Sequence, residues 1–113
     1  MTVAVNKIVA GTGDEFHRVL LSHVSTTVTI DEDLGGVLTS ATHSAAGTML
    51  LVWNKTVTGS NQAPGISGFN CPSNVVAQVS VPDEDGCTII TRLVNTGGVF
   101  NSARTEFFVK RSA

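Results

Sequence analysis

Tyrosine is absent from this 113-residue chain, tryptophan occurs once, and charged residues make up only 14% of it, against about 25% in ordinary globular domains. Each shortage excludes something. Sugar-binding platforms are built from exposed Trp or Tyr, and the lone Trp53 sits in the most apolar segment of the chain. Seven basic residues and a net charge of -2 leave no basic face for nucleic acid; Lys7, Lys55 and Lys110 are scattered, and only Lys110 and Arg111 are adjacent. No apolar run approaches the ~20 residues of a membrane-spanning helix. The start, Met1 to Ala10, lacks a basic segment followed by a long apolar core, so no secretory signal is read there, although a mature secreted domain behind an introduced Met1 would look the same. Cys71 and Cys87 are the only cysteines. Two are too few for a metal site and their spacing demands no pairing, so both are expected as buried free thiols in a reducing cytoplasm.

What remains is rich in Val, Thr, Ser and Gly, with 42% hydrophobic residues. That composition predicts an all-β chain forming one domain over residues 1–113, long enough to bury a core without staples. A surface of hydroxyls and small side chains suits contact with other protein rather than water. The organising stretch is Asn74 to Asn95. Val75, Ala77, Val79 and Val81 alternate with polar or smaller residues, the period of a half-buried strand. Pro82 to Gly86 stops it with a proline, three acids and a glycine free to take positive φ. Cys87, Ile89 and Leu93 then share a face opposite Thr88 and Arg92, so a β-hairpin with a roughly five-residue loop is predicted.

Upstream, Val3 and Val5 open a strand through about Val9, broken by Gly11 to Asp14. Glu15 to Val24 reads two ways. Phe16, Val19, Leu20 and Val24 fit a helical face, with Thr12 and Glu15 spaced as a capping box. As a strand, Glu15, His17, Val19, Leu21 and His23 share one side; the strands around it favour this second reading. Thr26 to Asp31 is a β-branched strand, Val37 to Thr42 a polar edge strand, and Thr48 to Val57 is apolar on both faces through Val52, as a central strand covered on both sides would be. Gly59 to Ser73 has no periodicity, and structureless segments of that length are usually functional. Its Ile66 and Phe69 are expected to bury themselves against a partner. Ala103 to Lys110 closes the chain as a strand. An antiparallel β-sandwich of about 7–8 strands follows, and the length favours an immunoglobulin-like arrangement over a jelly roll.

Chemistry is harder to place. Val28 to Asp33 and Val79 to Asp85 each run a strand into an acidic triplet. If the two strands are parallel in space, both triplets meet at one pole, where hard oxygens suit Ca²⁺; acids at hairpin tips are otherwise solvated turns, and neither loop has a calcium-loop pattern. His17 and His23 share a strand face but stand roughly 20 Å apart, too far for one metal or dyad. His43 reads as a surface residue in a polar stretch. Gly35-Gly36 and Gly97-Gly98 are turn pairs without a phosphate-loop lysine, and no nucleophile elbow occurs. Asn54-Lys55-Thr56 matches a glycosylation sequon only by pattern. No catalytic residue, metal ligand or cofactor is assigned, and an enzyme is not expected.

In its Ser/Thr/Gly-rich strands, its scarcity of charge and its direct start into Thr2 to Val9, the chain resembles the small β-sandwich proteins of tailed-phage virions, both head decoration (cement) proteins and immunoglobulin-like virion domains. The resemblance spans the chain in style and carries no site residues. It implies a non-enzymatic structural or assembly protein located in the virion after assembly in the host cytoplasm. The implied partners are coat or other structural subunits and further copies of itself, with no nucleic acid, membrane or cofactor. The alternative is a carbohydrate-binding or adhesion module using the 59–73 loop.

Overall fold

The computed structural model describes residues 7–9, 15–58 and 63–111. Among them the chain forms nine strands and one helical turn: β1 Lys7–Val9, β2 Glu15–Val24, β3 Thr27–Glu32, β4 Leu38–Ala45, β5 Thr48–Trp53, α1 Lys55–Thr58, β6 Ile66–Asn70, β7 Val75–Ser80, β8 Gly86–Leu93 and β9 Thr105–Arg111. Two antiparallel sheets pack as a sandwich. Sheet I runs β1-β2-β9-β6, with β3 also on β2; sheet II runs β4-β5-β8-β7. β1 pairs with Glu15–His17 and β3 with Leu20–Val24, so the two share one edge of β2 end to end.

The alternating pattern of Glu15–Val24 is a strand throughout. His17, Val19, Leu21 and His23 face inward, and β9 pairs with it from Glu15↔Arg111 to Leu21↔Thr105. Val19, Leu21, Phe107 and Val109 from sheet I meet Leu38, Met49, Leu51, Trp53, Cys87 and Ile89 from sheet II. Side chains of this size contribute about 1.5–3 kcal/mol each when fully buried. Trp53 is 2% exposed, and its indole N–H donates to the Asp83 carbonyl at 3.1 Å. The hairpin is present as β7 and β8, in register from Val75↔Leu93 to Ser80↔Thr88.

Several expectations are corrected. β5 is central but covered on one side only: its burial alternates, and Leu50 and Val52 point outward. The strand stops at Trp53 rather than Val57 because Asn54 turns the chain into α1. The Asn54 Oδ1 accepts from the Thr56 backbone N–H at 3.3 Å and hydroxyl at 2.7 Å. Its Nδ2 donates to the Gly36 carbonyl at 3.0 Å, so the sequon nitrogen is already engaged. Val81 leaves the apolar row: it is exposed and takes φ 48°, in the left-handed region. Gly86 does not take positive φ and is needed for another reason, since a β-carbon there would collide with the Leu51 carbonyl oxygen. Gly59–Ser73 is not structureless, because five of its residues form β6 at the free edge of sheet I. Cys87 is buried but Cys71 only half so, and both are free thiols. Val3, Val5 and the Gly11–Asp14 break, with the capping-box Thr12, lie outside the described residues.

Candidate functional site

Strand register assigns the outward side chains of sheet II. Opposed residues of an antiparallel pair project from the same face, so Val76, Arg92 and Val99 form one row, the last through a bridge of the 97–100 segment onto β8. Gln78, Ile90 and Thr48 form the next, then Ser80, Thr88, Leu50 and Thr42, then Gly86, Val52 and Ser40. Leu50 is 46% exposed, Val76 52% and Val99 46%. Among the described residues the one charged side chain on this face is Arg92, whose guanidinium donates to the Gly97 carbonyl at 3.1 Å. An open sheet face of valine, leucine, isoleucine and hydroxyls without Lys, Glu or Asp has the composition of an interface centre.

Ile66 and Phe69, the residues expected to meet a partner, lie on β6. Ile66 pairs with Val109, and Phe69 packs its ring 5.6 Å from that of Phe107. Both are half-buried against their own core, which leaves only part of each side chain to offer elsewhere. Gly68, at φ 70°, makes the irregularity between Ser67 and Asn70 that lets both face inward.

The acidic triplets do lie at one end, on either side of Trp53–Lys55, and one aspartate of each, Asp33 and Asp83, is occupied by its own turn. Asp33 accepts from the backbone N–H of Val37 at 3.0 Å and of Leu38 at 2.9 Å. Asp83 accepts from those of Asp85 at 2.8 Å and Gly86 at 2.9 Å. Lys55 pairs with Asp85, and the hydrogen bond raises the pKa of the amine. Among the described residues no three His, Cys, Asp or Glu side chains gather closely enough to hold a metal ion.

One polar cluster was not foreseen. His23 on β2 and His43 on β4 reach across the sandwich, His23 Nε2 to His43 Nδ1 at 2.8 Å, with their rings edge to face. His43 is therefore inward, opposite Met49, and not a surface residue. Alternation of Ala41 and His43 with Ser40, Thr42 and Ser44 was the available signal, too weak among small polar side chains to set the phase. His17 is at the other end of β2, bonded to Glu15 at 2.9 Å and set against Gly35. Burial first, then His43, lowers the pKa of His23. His23 is 1% exposed, and its Nδ1 meets no hydrogen-bonding partner among the described residues. Donation from His23 Nε2 to His43 leaves that Nδ1 a bare acceptor, whereas the reverse donation strands a buried N–H, the costlier outcome. Burial raises the pKa of the Cys71 thiol, and the neighbouring Thr105 and Ser102 hydroxyls and Arg104 oppose the rise. The Cys87 thiol is pushed up to about 12, by burial and then by Asp83. Neither thiol is poised as a nucleophile, since the thiolate is the reactive form.

No protein-family model matches this chain, and neither a curated protein nor a solved structure is similar to it.

Proposed function

We propose that this chain is a non-enzymatic structural protein acting through protein–protein contacts, a component of a tailed-phage virion such as a capsid decoration or minor structural subunit. The observation that carries the reading is the outer face of sheet II, where Leu50, Val52, Val76, Ile90 and Val99 stand among hydroxyls with Arg92 as the only charge among the described residues. Water solvates such a face poorly, and covering it with protein recovers about 25 cal/mol per Å² of apolar area. Residues that gather elsewhere serve the fold: Asp33 and Asp83 cap turns, and the thiols are held protonated. Free cysteines also suit assembly in a reducing host cytoplasm. The carbohydrate-binding alternative loses support, because the 59–73 segment it would use contributes β6 and half-buries Ile66 and Phe69.

Co-sedimentation of the purified chain with empty capsids and with tails tests this. The chain is expected to pellet with one of them, and Leu50→Lys to remain in the supernatant while keeping the wild-type circular dichroism. Failure of the wild type to join any particle, together with retention on a glycan array, would overturn the proposal.

A further inference from the structure

We infer that the free edge of β7 takes up an extended segment of another protein as an added strand of sheet II, a segment with an apolar side chain at every second position and uncharged residues between. The site is separate from the outer face of sheet II, and the inference does not depend on what that face meets.

Ladder geometry leaves the edge open. In an antiparallel pair, opposed residues alternately exchange hydrogen bonds and turn their backbone groups away from each other. The Val94 N–H donates to the Asn74 carbonyl, so that pair exchanges bonds, whereas the N–H groups of Leu93 and Thr91 go to Gly98 and Gly47 on the far side of β8. Val75↔Leu93, Ala77↔Thr91 and Val79↔Ile89 are therefore the pairs without mutual bonds. Val75, Ala77 and Val79 turn their backbone groups out past β7, the end strand of its sheet. Val75 gives its N–H to the Pro72 carbonyl; those of Ala77 and Val79 meet no partner among the described residues.

This edge also lacks the devices that keep an edge strand single. β4 carries two register shifts, and β6 is broken between Ser67 and Asn70 by Gly68. β1 and β3 divide the remaining edge between them. β7 pairs through six consecutive residues without a shift, and Val75–Ser80 contains no proline, glycine or charge.

The surroundings specify the occupant. A row of unpaired N–H and C=O groups is matched by extended backbone, as in strand addition. β7 touches β6, the end strand of sheet I, and the half-buried Ile66, Phe69, Ala77 and Val79 lie along this margin of the core. A strand added to β7 points every second side chain over them, which calls for apolar residues there. Its other residues stand beside Val76 and Gln78 on the outer face, where no charge awaits an ion pair. The edge of a second copy fits less well. A two-fold axis joining β7 to its copy would also set β6 against its copy, and the irregular backbone between Ser67 and Asn70 offers no regular ladder there.

Amide exchange read by NMR tests this with a capped six-residue peptide of alternating valine and threonine, the length of β7. In the free protein the amides of Ala77 and Val79 should exchange faster than those of Val76, Gln78 and Ser80, which the ladder holds. With the peptide at about ten times its Kd, exchange at Ala77 and Val79 should slow about tenfold, as the share of free edge falls. Ala77→Pro removes an N–H that the β7–β8 ladder does not use, so it should keep the wild-type circular dichroism and bind no peptide. Should that variant fail to fold, the same peptide with its valines replaced by proline is the control, and it should protect neither amide. A valine–threonine peptide that protects neither amide at any concentration overturns the inference, as does equal protection by the proline peptide or of Val79 in a folded Ala77→Pro. Protection that needs no peptide and rises with protein concentration also overturns it, since a second copy then holds the edge. Leu50→Lys should take up the peptide like the wild type while failing to pellet with capsids. A wild type that pellets but takes up no peptide would sink this inference alone. One that takes up peptide but pellets with nothing would sink only the assembly reading.

Discussion

The outer faces of the two sheets have the same construction and opposite chemistry. On sheet I, Arg18 is only 6% exposed although it points away from the core. Its Nε donates to Glu106 at 2.6 Å, its Nη1 pairs with Glu32, and Arg104 adds a second contact to Glu106 at 3.3 Å. Three strands, β2, β3 and β9, are tied laterally by this network. On sheet II the corresponding positions hold Leu50, Val52, Val76, Thr88 and Ile90, with no ion pair among them. Both sheets rest on one shared core. The charged face is thus tied to itself through Arg18, while the neutral face leaves much of its apolar surface open in the monomer. Alternation decides which residues point outward; only their chemistry decides whether that side is finished.

The most damaging substitution should be one that removes what both faces rest on. Trp53→Ala deletes the largest side chain of the buried set and orphans the Asp83 carbonyl. A loss of about 3–5 kcal/mol is expected, enough to leave a domain of this size unfolded or molten. A cooperative thermal transition within a few degrees of the wild type would show that the sheets are held together elsewhere. A smaller effect should fall on one face alone. Glu106→Ala leaves Arg18 with Glu32 as its only anionic partner among the described residues, in a nearly dry position, and should cost about 1–3 kcal/mol, between the values for exposed and buried pairs. Urea unfolding reads it. A cost no larger than that of an exposed ion pair, about 0.2–1 kcal/mol, would mean that the sheet I network is no more than solvated surface, and the contrast between the faces would weaken.

How far these faces were legible beforehand depends on how loudly each strand alternates. Glu15–Val24 places bulky apolar or imidazole side chains on every second position, yet Phe16, Val19, Leu20 and Val24 also fit a helical face, so its inward side could be read only by letting the strands around it decide. β5 misled because Met49 to Val52 are all apolar; the outward Leu50 and Val52 look like core until the open side of the sheet is known. β6 was hidden by Gly68, whose left-handed backbone breaks the period between Ser67 and Asn70. Val81 continues the hairpin's apolar row in sequence, yet Pro82 follows it and the chain has already turned. The partners of Arg18 and His23 lie 88 and 20 residues away, and no local periodicity reports pairings of that range. The candidate surface itself was legible only as composition, a shortage of charge; that the shortage is gathered on one sheet required the register.

The smallest expected effect concerns the His23–His43 bond between the two sheets. The lowered pKa of His23 means that the folded protein resists a proton which the unfolded chain accepts near the ordinary value of about 6.5. The contribution of the neutral pair is therefore fully present above that value. It is lost as pH falls toward the lowered folded pKa, where the loss levels off. The titratable group acting on His23 is His43; Val28 of β3 and Met49 of β5 lie opposite the two rings in register, and Arg104, on the segment leading into β9, is paired with Glu106. No carboxylate acting on His23 offsets the cost of charging the ring. Unfolding free energies taken by urea titration from about pH 7.5 to about pH 5 should fall by at most about 1.4 kcal/mol per pH unit, the slope for one proton. His23→Phe should flatten that slope, since it removes both the buried base and its orphaned Nδ1. His43→Ala should lower stability throughout but keep most of the slope, because burial of His23, the first cause of the shift, remains. An undiminished slope in His23→Phe would assign the acid sensitivity to other groups.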